Sequence, residues 1–254
     1  MSNLDKEVKR CDDGRADYIH LDVMDGQFVP NKTFDHAKIK ELRPLTLIPF
    51  DAHLMINEPV KHVHDYIDAG SDIITVHAEV CDESSFGEIS DMLHSNQVGI
   101  GLAINPDTEL PEWCYKFVES LDQIIIMSVV PGKSGQKFIE STHEKTKRIA
   151  KDLREHKFEG YIESDGGVNL ENIGACFEDG ARAFVGGSAI IGQNDVRMII
   201  KEFRNQVLES RRKLLIKKAH ELGGAELVNS WIDLHVVGEK KDKLVQIAKE
   251  LGFQ

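Results

Sequence analysis

The sequence predicts an α/β fold built on a parallel sheet, and three observations carry the prediction. Short β-branched runs alternate with helix-patterned stretches along most of the chain. Runs such as DIITV, QIIIM and ARAFVG are nearly all apolar, as strands covered on both faces are. The length, 254 residues, suits one domain of barrel or doubly wound size with an appendage. Strands that alternate with helices pair in parallel through right-handed crossovers.

Taken in order, the first element is a helix over 3–11. Strands follow at 17–22, 50–55, 72–77, 98–104, 123–129, 160–165 and 183–186. Helices are expected between them at 35–43, 60–69, 86–95, 112–121, 141–156 and 170–178. Asp-Ala-Gly70 and Glu-Asp-Gly180 each place glycine where a helix C-cap wants it. A long helix is expected over 195–222, carrying the basic segment RRKLLIKK, which reads as a solvated face. After Gly223 and Gly224, Leu244, Ile247, Ala248 and Leu251 recur at helical spacing, while 230–237 fits strand or helix.

Seven strands leave two architectures open on pattern alone. A (β/α)₈ barrel needs one more strand ahead of the first helix, and the chain has no room for it. The other solution is an open seven-stranded sheet.

Composition narrows function. Apolar residues are 41% of the chain, enough for a sizeable core. The formal charge of −12 argues against nucleic acid or an anionic membrane as partner, though not against a small anion in a local pocket. No apolar run reaches membrane-helix length, and MSNLDKEVKRCDDG is too polar for a signal peptide. Cys11, Cys81, Cys114 and Cys176 form no CxxC pair, and their scatter fits reduced thiols in the cytoplasm.

Residues that carry chemistry gather at the C-terminal ends of strands. In Asp17-Tyr-Ile-His20-Leu-Asp22-Val-Met24, period two sends His20, Asp22 and Met24 one way and Ile19, Leu21 and Val23 the other. Phe50-Asp51-Ala-His53-Leu-Met55 and Glu163-Ser-Asp165 repeat the pattern. A buried imidazole or carboxylate is expensive without partners. His20, Asp22, His53 and Asp165 make a set of two nitrogens and two oxygens suited to a divalent metal such as zinc, iron, manganese or cobalt. Glycine turns follow the last strands at Pro131–Gly135, 165–167 and 185–188. Their free backbone N–H groups suit a phosphate, and barrels commonly hold phosphate after their last strands.

At this point HLDVMDGQFVPN, followed by DAHLMI, MSVVPGKSGQKF, ESDGGV and GGSAI, resembles the ribulose-phosphate 3-epimerase family. The resemblance runs over residues 15–191. It implies a (β/α)₈ TIM-type barrel lacking its first strand, with a C-terminal helical extension, and a division into 1–218 and 219–254. It implies metal-dependent interconversion of ribulose 5-phosphate and xylulose 5-phosphate, a step of the pentose phosphate pathway. The family's metal ligands correspond to His20, Asp22, His53 and Asp165, and its acid/base pair to Asp22 and Asp165. Its substrate and phosphate contacts correspond to His53, Gly132, Lys133, Ser134, Gly135, Gly166, Gly167, Gly187 and Ser188. Its apolar cap over the reacting carbons corresponds to Met24, Met55 and Met127.

Epimerisation at C3 suits these residue types. It removes a proton beside the C2 ketone and returns one to the opposite face, which takes two acid/base groups. A metal stabilises the enediolate, and methionines keep water from it. The expected partner is a small sugar phosphate, with a homo-oligomer in view. Two other readings stand beside this one: a 3-epimerase of a ketohexose phosphate such as allulose 6-phosphate, and a non-catalytic phosphosugar-binding barrel. Decarboxylases and hexulose-phosphate synthases of related fold use Asp-x-Lys-x-x-Asp, and Met24 stands at the lysine position.

Three departures from the family pattern stand out. The opening strand and a substrate-contacting serine are missing, which reads as a truncated sequence unless the extension fills the gap. The loop Gly-Lys-Ser-Gly stands where Gly-Phe-Gly-Gly is usual, and the plainer reading of Lys133 is a solvated side chain. The chain also runs past the family's usual end, as a surface helix or an oligomer contact.

Overall fold

Each apolar run becomes a parallel strand. β1 (Ile19–Met24), β2 (Phe50–Met55), β3 (Ile73–His77), β4 (Gly99–Ile104), β5 (Gln123–Met127), β6 (Tyr161–Asp165) and β7 (Ala183–Val185) lie side by side in chain order. Every neighbouring pair is parallel. The computed structural model describes residues 3–133, 135–221 and 246, excepting the side chains of 219 and 220. Ser134, the tail pattern from Leu244 to Leu251, the ambiguous 230–237 stretch and nearly all of 219–254 lie outside the described residues.

The sheet curls. Flat, β1 and β6 would stand about 24 Å apart, five steps of roughly 4.8 Å. Instead, His20 on β1 places Nδ1 3.3 Å from Glu163 Oε1 on β6. The fold is a (β/α) barrel of TIM type described with seven strands, as expected.

Period two sorts side chains between inside and outside. Ile19, Leu21, Val23, Phe50, Ala52, Leu54, Ile74, Val76, Leu102 and Ile124 face outward into the main apolar core. Helices α1 (Leu4–Asp13), α2 (His36–Leu42), α3 (Val63–Asp68), α4 (Glu83–Ser95) and α5 (Thr142–Glu155) supply the rest of that layer, with Val8, Ile39, Val63, Phe86, Ile89 and Leu153, while α6 (Ile173–Asp179) buries Ile173, Cys176 and Phe177. The opposite parity points inward and is largely polar: His20, Asp22, Asp51, His53, Thr75, His77, Gln123, Glu163 and Asp165.

Several boundaries differ from expectation, each for a local reason. β1 starts at Ile19 rather than residue 17 because its ladder runs from Ile19↔Phe50 to Met24↔Met55. β5 stops at Met127 rather than 129, since Ser128 Oγ turns to donate to the carbonyls of Asp165 (2.9 Å) and Gly166 (2.6 Å). The expected helix over 60–69 splits into a 3₁₀ turn, Pro59–Lys61, and α3, after Glu58 enters the left-handed region at φ 51°. α4 begins three residues early because Asp82 and Ser85 form a capping box. The 112–121 stretch is not an α-helix but a 3₁₀ turn, Glu112–Lys116. So short a segment recovers little of its nucleation cost, and the packing of Trp113 and Phe117 on Phe86 sets its geometry.

The chain divides into two compact units, Met1–Phe203 and Arg204–Gln254. Helix α7 (Val196–Glu221) begins in the first, where Val196, Ile200 and Phe203 are buried. RRKLLIKK lies on α7 in the second unit, with Leu215 buried. Among the described residues, no helix is long and apolar enough to cross a membrane. All four cysteines are free, and burial pushes the Cys114 thiol up to about 12.

Gly87 sits inside α4 with room for a methyl group, whose nearest neighbour would be Phe117 Cζ at 3.6 Å. Gly87→Ala is therefore expected to stabilise the protein by about 0.5–1 kcal/mol. Urea unfolding checks it; an unchanged or lowered midpoint contradicts it.

Candidate metal and catalytic site

The inward residues at the C-terminal ends of β1, β2 and β6 converge on one point. Register does part of the work, since Asp22 on β1 lies opposite His53 on β2. Curling does the rest by bringing Asp165 of β6 across. His20 Nε2 lies 3.2 Å from His53 Nδ1, 3.3 Å from Asp22 Oδ1 and 3.8 Å from Asp165 Oδ2. His53 Nδ1 lies 3.3 Å from Asp22 Oδ1 and 3.5 Å from Asp165 Oδ2. The four donor atoms all fall within 4.8 Å of one another. Four N and O donors held about 2.0–2.1 Å from a tetrahedral zinc stand about 3.3 Å apart, so the spacing matches a closed cage. Asp22 Oδ1 adds a second sign of fit. It is buried and makes no hydrogen bond, although the Asp22 side chain as a whole is 44% exposed. The set can hold a divalent cation.

The cage concentrates charge. Burial works against ionised Asp22, yet His20 and His53 beside it hold its carboxyl well below the usual range. Burial likewise opposes a charged His20, and Asp51, Asp22 and Glu163 outweigh it, raising its pKa well above normal. His53 is driven up to about 9, with burial overcome by Asp165 and Asp22. A cation held here by His20 and His53 would need their metal-facing nitrogens free of protons.

Each imidazole is held from behind. His20 Nδ1 meets Asp51 Oδ2 at 2.8 Å, and Asp51 Oδ1 accepts from Gln123 Nε2 at 2.9 Å. Gln123 Nε2 also reaches Thr75 Oγ1 at 2.6 Å. Glu163, fully inside, has its pKa raised to about 7 by burial and by Asp51. His53 Nε2 meets His77 Nε2 at 2.8 Å, and His77 Nδ1 meets Glu79 Oε2 at 3.0 Å. Burial lowers the pKa of His77, and His77 helps hold Glu79 down to about 2 against its own burial. His77 thus contacts a cage residue directly rather than filling core. The other histidines singled out by position, His62 and His64, stay outside: His64 pairs with Asp68 on the surface of α3.

Asp51, Glu163, Gln123 and Thr75 were not among the expected site residues. Strand parity could have found two of them, because Asp51 precedes His53 by two and Glu163 precedes Asp165 by two.

The methionines do not form one cluster. Met24 and Met55 pack with Val29 and Phe28, whereas Met127 packs with Ala103, Ile125 and Val129. Asp25 caps the turn after β1, accepting from the N–H groups of Gln27, Phe28 and Asn57. Asn31 Nδ2 then bonds to the Gly132 carbonyl, tying this loop to the loop after β5. Of the expected phosphate loops, Gly166 (φ 118°) and Gly167 (φ 67°) turn beneath that same loop, where a Cβ would strike Val129 and the Phe138 backbone. At Gly135 and Gly187 a Cβ would meet nothing within 4 Å. Ser188 belongs to the single π-helical turn Gly187–Ile191, and Lys133 is exposed.

Comparison with known proteins agrees with this geometry. A family profile described as the ribulose-phosphate 3 epimerase family matches residues 1–191. Ribulose-phosphate 3-epimerase of Bacillus subtilis (strain 168) is 40% identical over 202 residues, 79% of this chain and 92% of the relative. The chloroplastic ribulose-5-phosphate-3-epimerase of Arabidopsis thaliana is 40% identical over 201 residues, 79% of this chain and 71% of the relative. Among solved structures, KGPDC from Streptococcus mutans superposes with a TM-score of 0.60 at 13% identity, over 81% of this chain and 91% of that one. The last likeness is one of fold.

Proposed function

The chain belongs to the ribulose-phosphate 3-epimerase family, and from that premise we propose that it interconverts D-ribulose 5-phosphate and D-xylulose 5-phosphate, with Asp22 and Asp165 moving the proton at C3. The observation that carries the reading is the meeting of these two carboxyl groups from β1 and β6 beside His20 and His53. One carboxylate takes the C3 proton, and the C–H electrons move toward the C2 oxygen to give an enediolate. The other group, as the acid, returns a proton to the opposite face of C3. The first ends protonated and the second ionised, so the pair is ready for the reverse reaction and no net proton is consumed.

A divalent cation in the cage, zinc by its two-nitrogen, two-oxygen donor set, would draw negative charge onto the sugar's C2 and C3 oxygens. His20 and His53 would hold it together with both carboxylates. Met24, Met55 and Met127 would wall the reacting carbons against water. The backbone around Gly132, Gly135, Gly166, Gly167, Gly187 and Ser188 would take the phosphate, with the side chain of Lys133 and, from outside the described residues, Ser134 as further expected contacts. The reaction belongs to the pentose phosphate pathway, and free thiols suit a cytoplasmic setting. A homo-oligomer remains part of the proposal.

NMR of ribulose 5-phosphate incubated with the protein in D₂O tests this reading. Deuterium is expected at C3 as xylulose 5-phosphate appears. Turnover without C3 exchange would refute the two-carboxylate route, and faster turnover of allulose 6-phosphate would reassign the substrate.

A further inference from the structure

We propose that His77 and Glu79 are positioning residues that fix the proton order of His53, so that His53 Nδ1 presents a lone pair to the cage. The inference rests on the metal reading above and deepens it.

The argument is a count of protons along one line of atoms. His53 Nε2 and His77 Nε2 face each other at 2.8 Å, with the rings within 15° of parallel planes. At that distance one proton, and only one, lies between them. At the far side, His77 Nδ1 faces a carboxylate oxygen of Glu79 at 3.0 Å. A carboxylate accepts and does not donate, so His77 Nδ1 carries a proton. His77 has no solvent exposure, and burial favours its neutral form. Neutral His77 then leaves its Nε2 bare, and the proton between the rings belongs to His53 Nε2. Metal-bound His53 therefore has Nδ1 free of hydrogen, and Nδ1 is the atom that points at Asp22 and Asp165.

Glu79 is anchored in turn. Its Oε1 accepts from the Asn105 backbone N–H at 2.7 Å. The Asn105 carbonyl is held by the buried Lys145 of α5, at 2.5 Å, and Lys145 also reaches the carbonyls of Pro106 and Thr108. Phe28 covers His77, with ring centroids 4.7 Å apart. Donation thus converges on the Glu79 carboxylate from two sides, from His77 Nδ1 on one and from the Asn105 backbone N–H, which cannot reverse, on the other.

That fixed donor makes Glu79→Gln a sharp test. The variant has the same shape, but its oxygen must serve Asn105 N–H, which turns its NH₂ toward His77 Nδ1. Donation then runs the wrong way, and His53 is pressed to carry its proton on Nδ1. Zinc affinity, measured on the full chain by titration with zinc alone against a competing chelator, is expected to fall about 10–100-fold. The melting midpoint of the metal-free variant is expected to stay that of wild type. In parallel, ¹H–¹⁵N spectra of wild type with and without zinc should show His77 with its proton on Nδ1. Zinc affinity within twofold of wild type, or a His77 proton on Nε2 in wild type, overturns the proposal. Should the variant fail to fold, the wild-type spectrum decides. Wild type that binds no zinc refutes the metal reading itself, and the spectrum of the metal-free chain still tests the proton order.

Discussion

Asp22→Asn is expected to lower the epimerisation rate about 10³-fold or more and to remove deuterium exchange at C3 with it. The substitution keeps the shape of the side chain and deletes two properties at once. An amide does not act as base at neutral pH, and it brings no negative charge to the cage. Asp22 Oδ1 sits 3.3 Å from both His20 Nε2 and His53 Nδ1, so it is the atom that balances both rings. With that charge gone, two imidazoles remain facing each other at 3.2 Å, and metal retention should fall together with the rate. Initial rates, C3 exchange and metal content after dialysis check this together. A variant that keeps its rate within tenfold of wild type would remove Asp22 from the chemistry. Lost metal with exchange intact would leave it only as a ligand.

Sequence pattern reached the strands and the cage residues for one reason. Period two is a property of every strand, and it survives whatever the tertiary structure does. His20 and Asp22 share a face in any strand containing them. What the pattern could not supply was closure. That His20 of β1 lies against Glu163 and Asp165 of β6 depends on the curl of the whole sheet. Asp51 was passed over because it reads as the polar start of a strand, yet it is the direct support of His20. Glu79 was invisible for another reason. It lies just beyond β3 in a one-turn helix, Ala78–Val80, where no periodicity speaks. Only the His77 side chain reveals its use. The 3₁₀ turn at Glu112–Lys116 shows the opposite failure, a helix-like pattern in which contacts with Phe86 decide the geometry.

Gly101→Ala is expected to destabilise the protein by about 3 kcal/mol and to weaken metal binding from some distance. Gly101 sits in the middle of β4, hydrogen-bonded on both sides, with Thr75 opposite on β3 and Gln123 opposite on β5. A Cβ there would lie 1.9 Å from Thr75 Oγ1, 2.8 Å from Thr75 Cβ and 3.0 Å from Gln123 Cγ. The backbone cannot retreat, since both flanking ladders hold it. The side chains must move, and they are the ones that support Asp51, with Gln123 Nε2 reaching Asp51 Oδ1 and Thr75 Oγ1. Asp51 in turn holds His20 Nδ1. The missing side chain at residue 101 therefore leaves the space in which the polar layer beneath the cage is assembled. For a chain of this size, the loss corresponds to a melting point lower by about 6–12 °C, and zinc affinity should fall in the same variant. Gly87→Ala, on an outer helix with open space, is the control that separates the general effect of a methyl group from this one. A Gly101→Ala protein as stable as wild type would show that β4 can shift. One that is destabilised but binds zinc normally would show that Thr75 and Gln123 do not hold His20 in place.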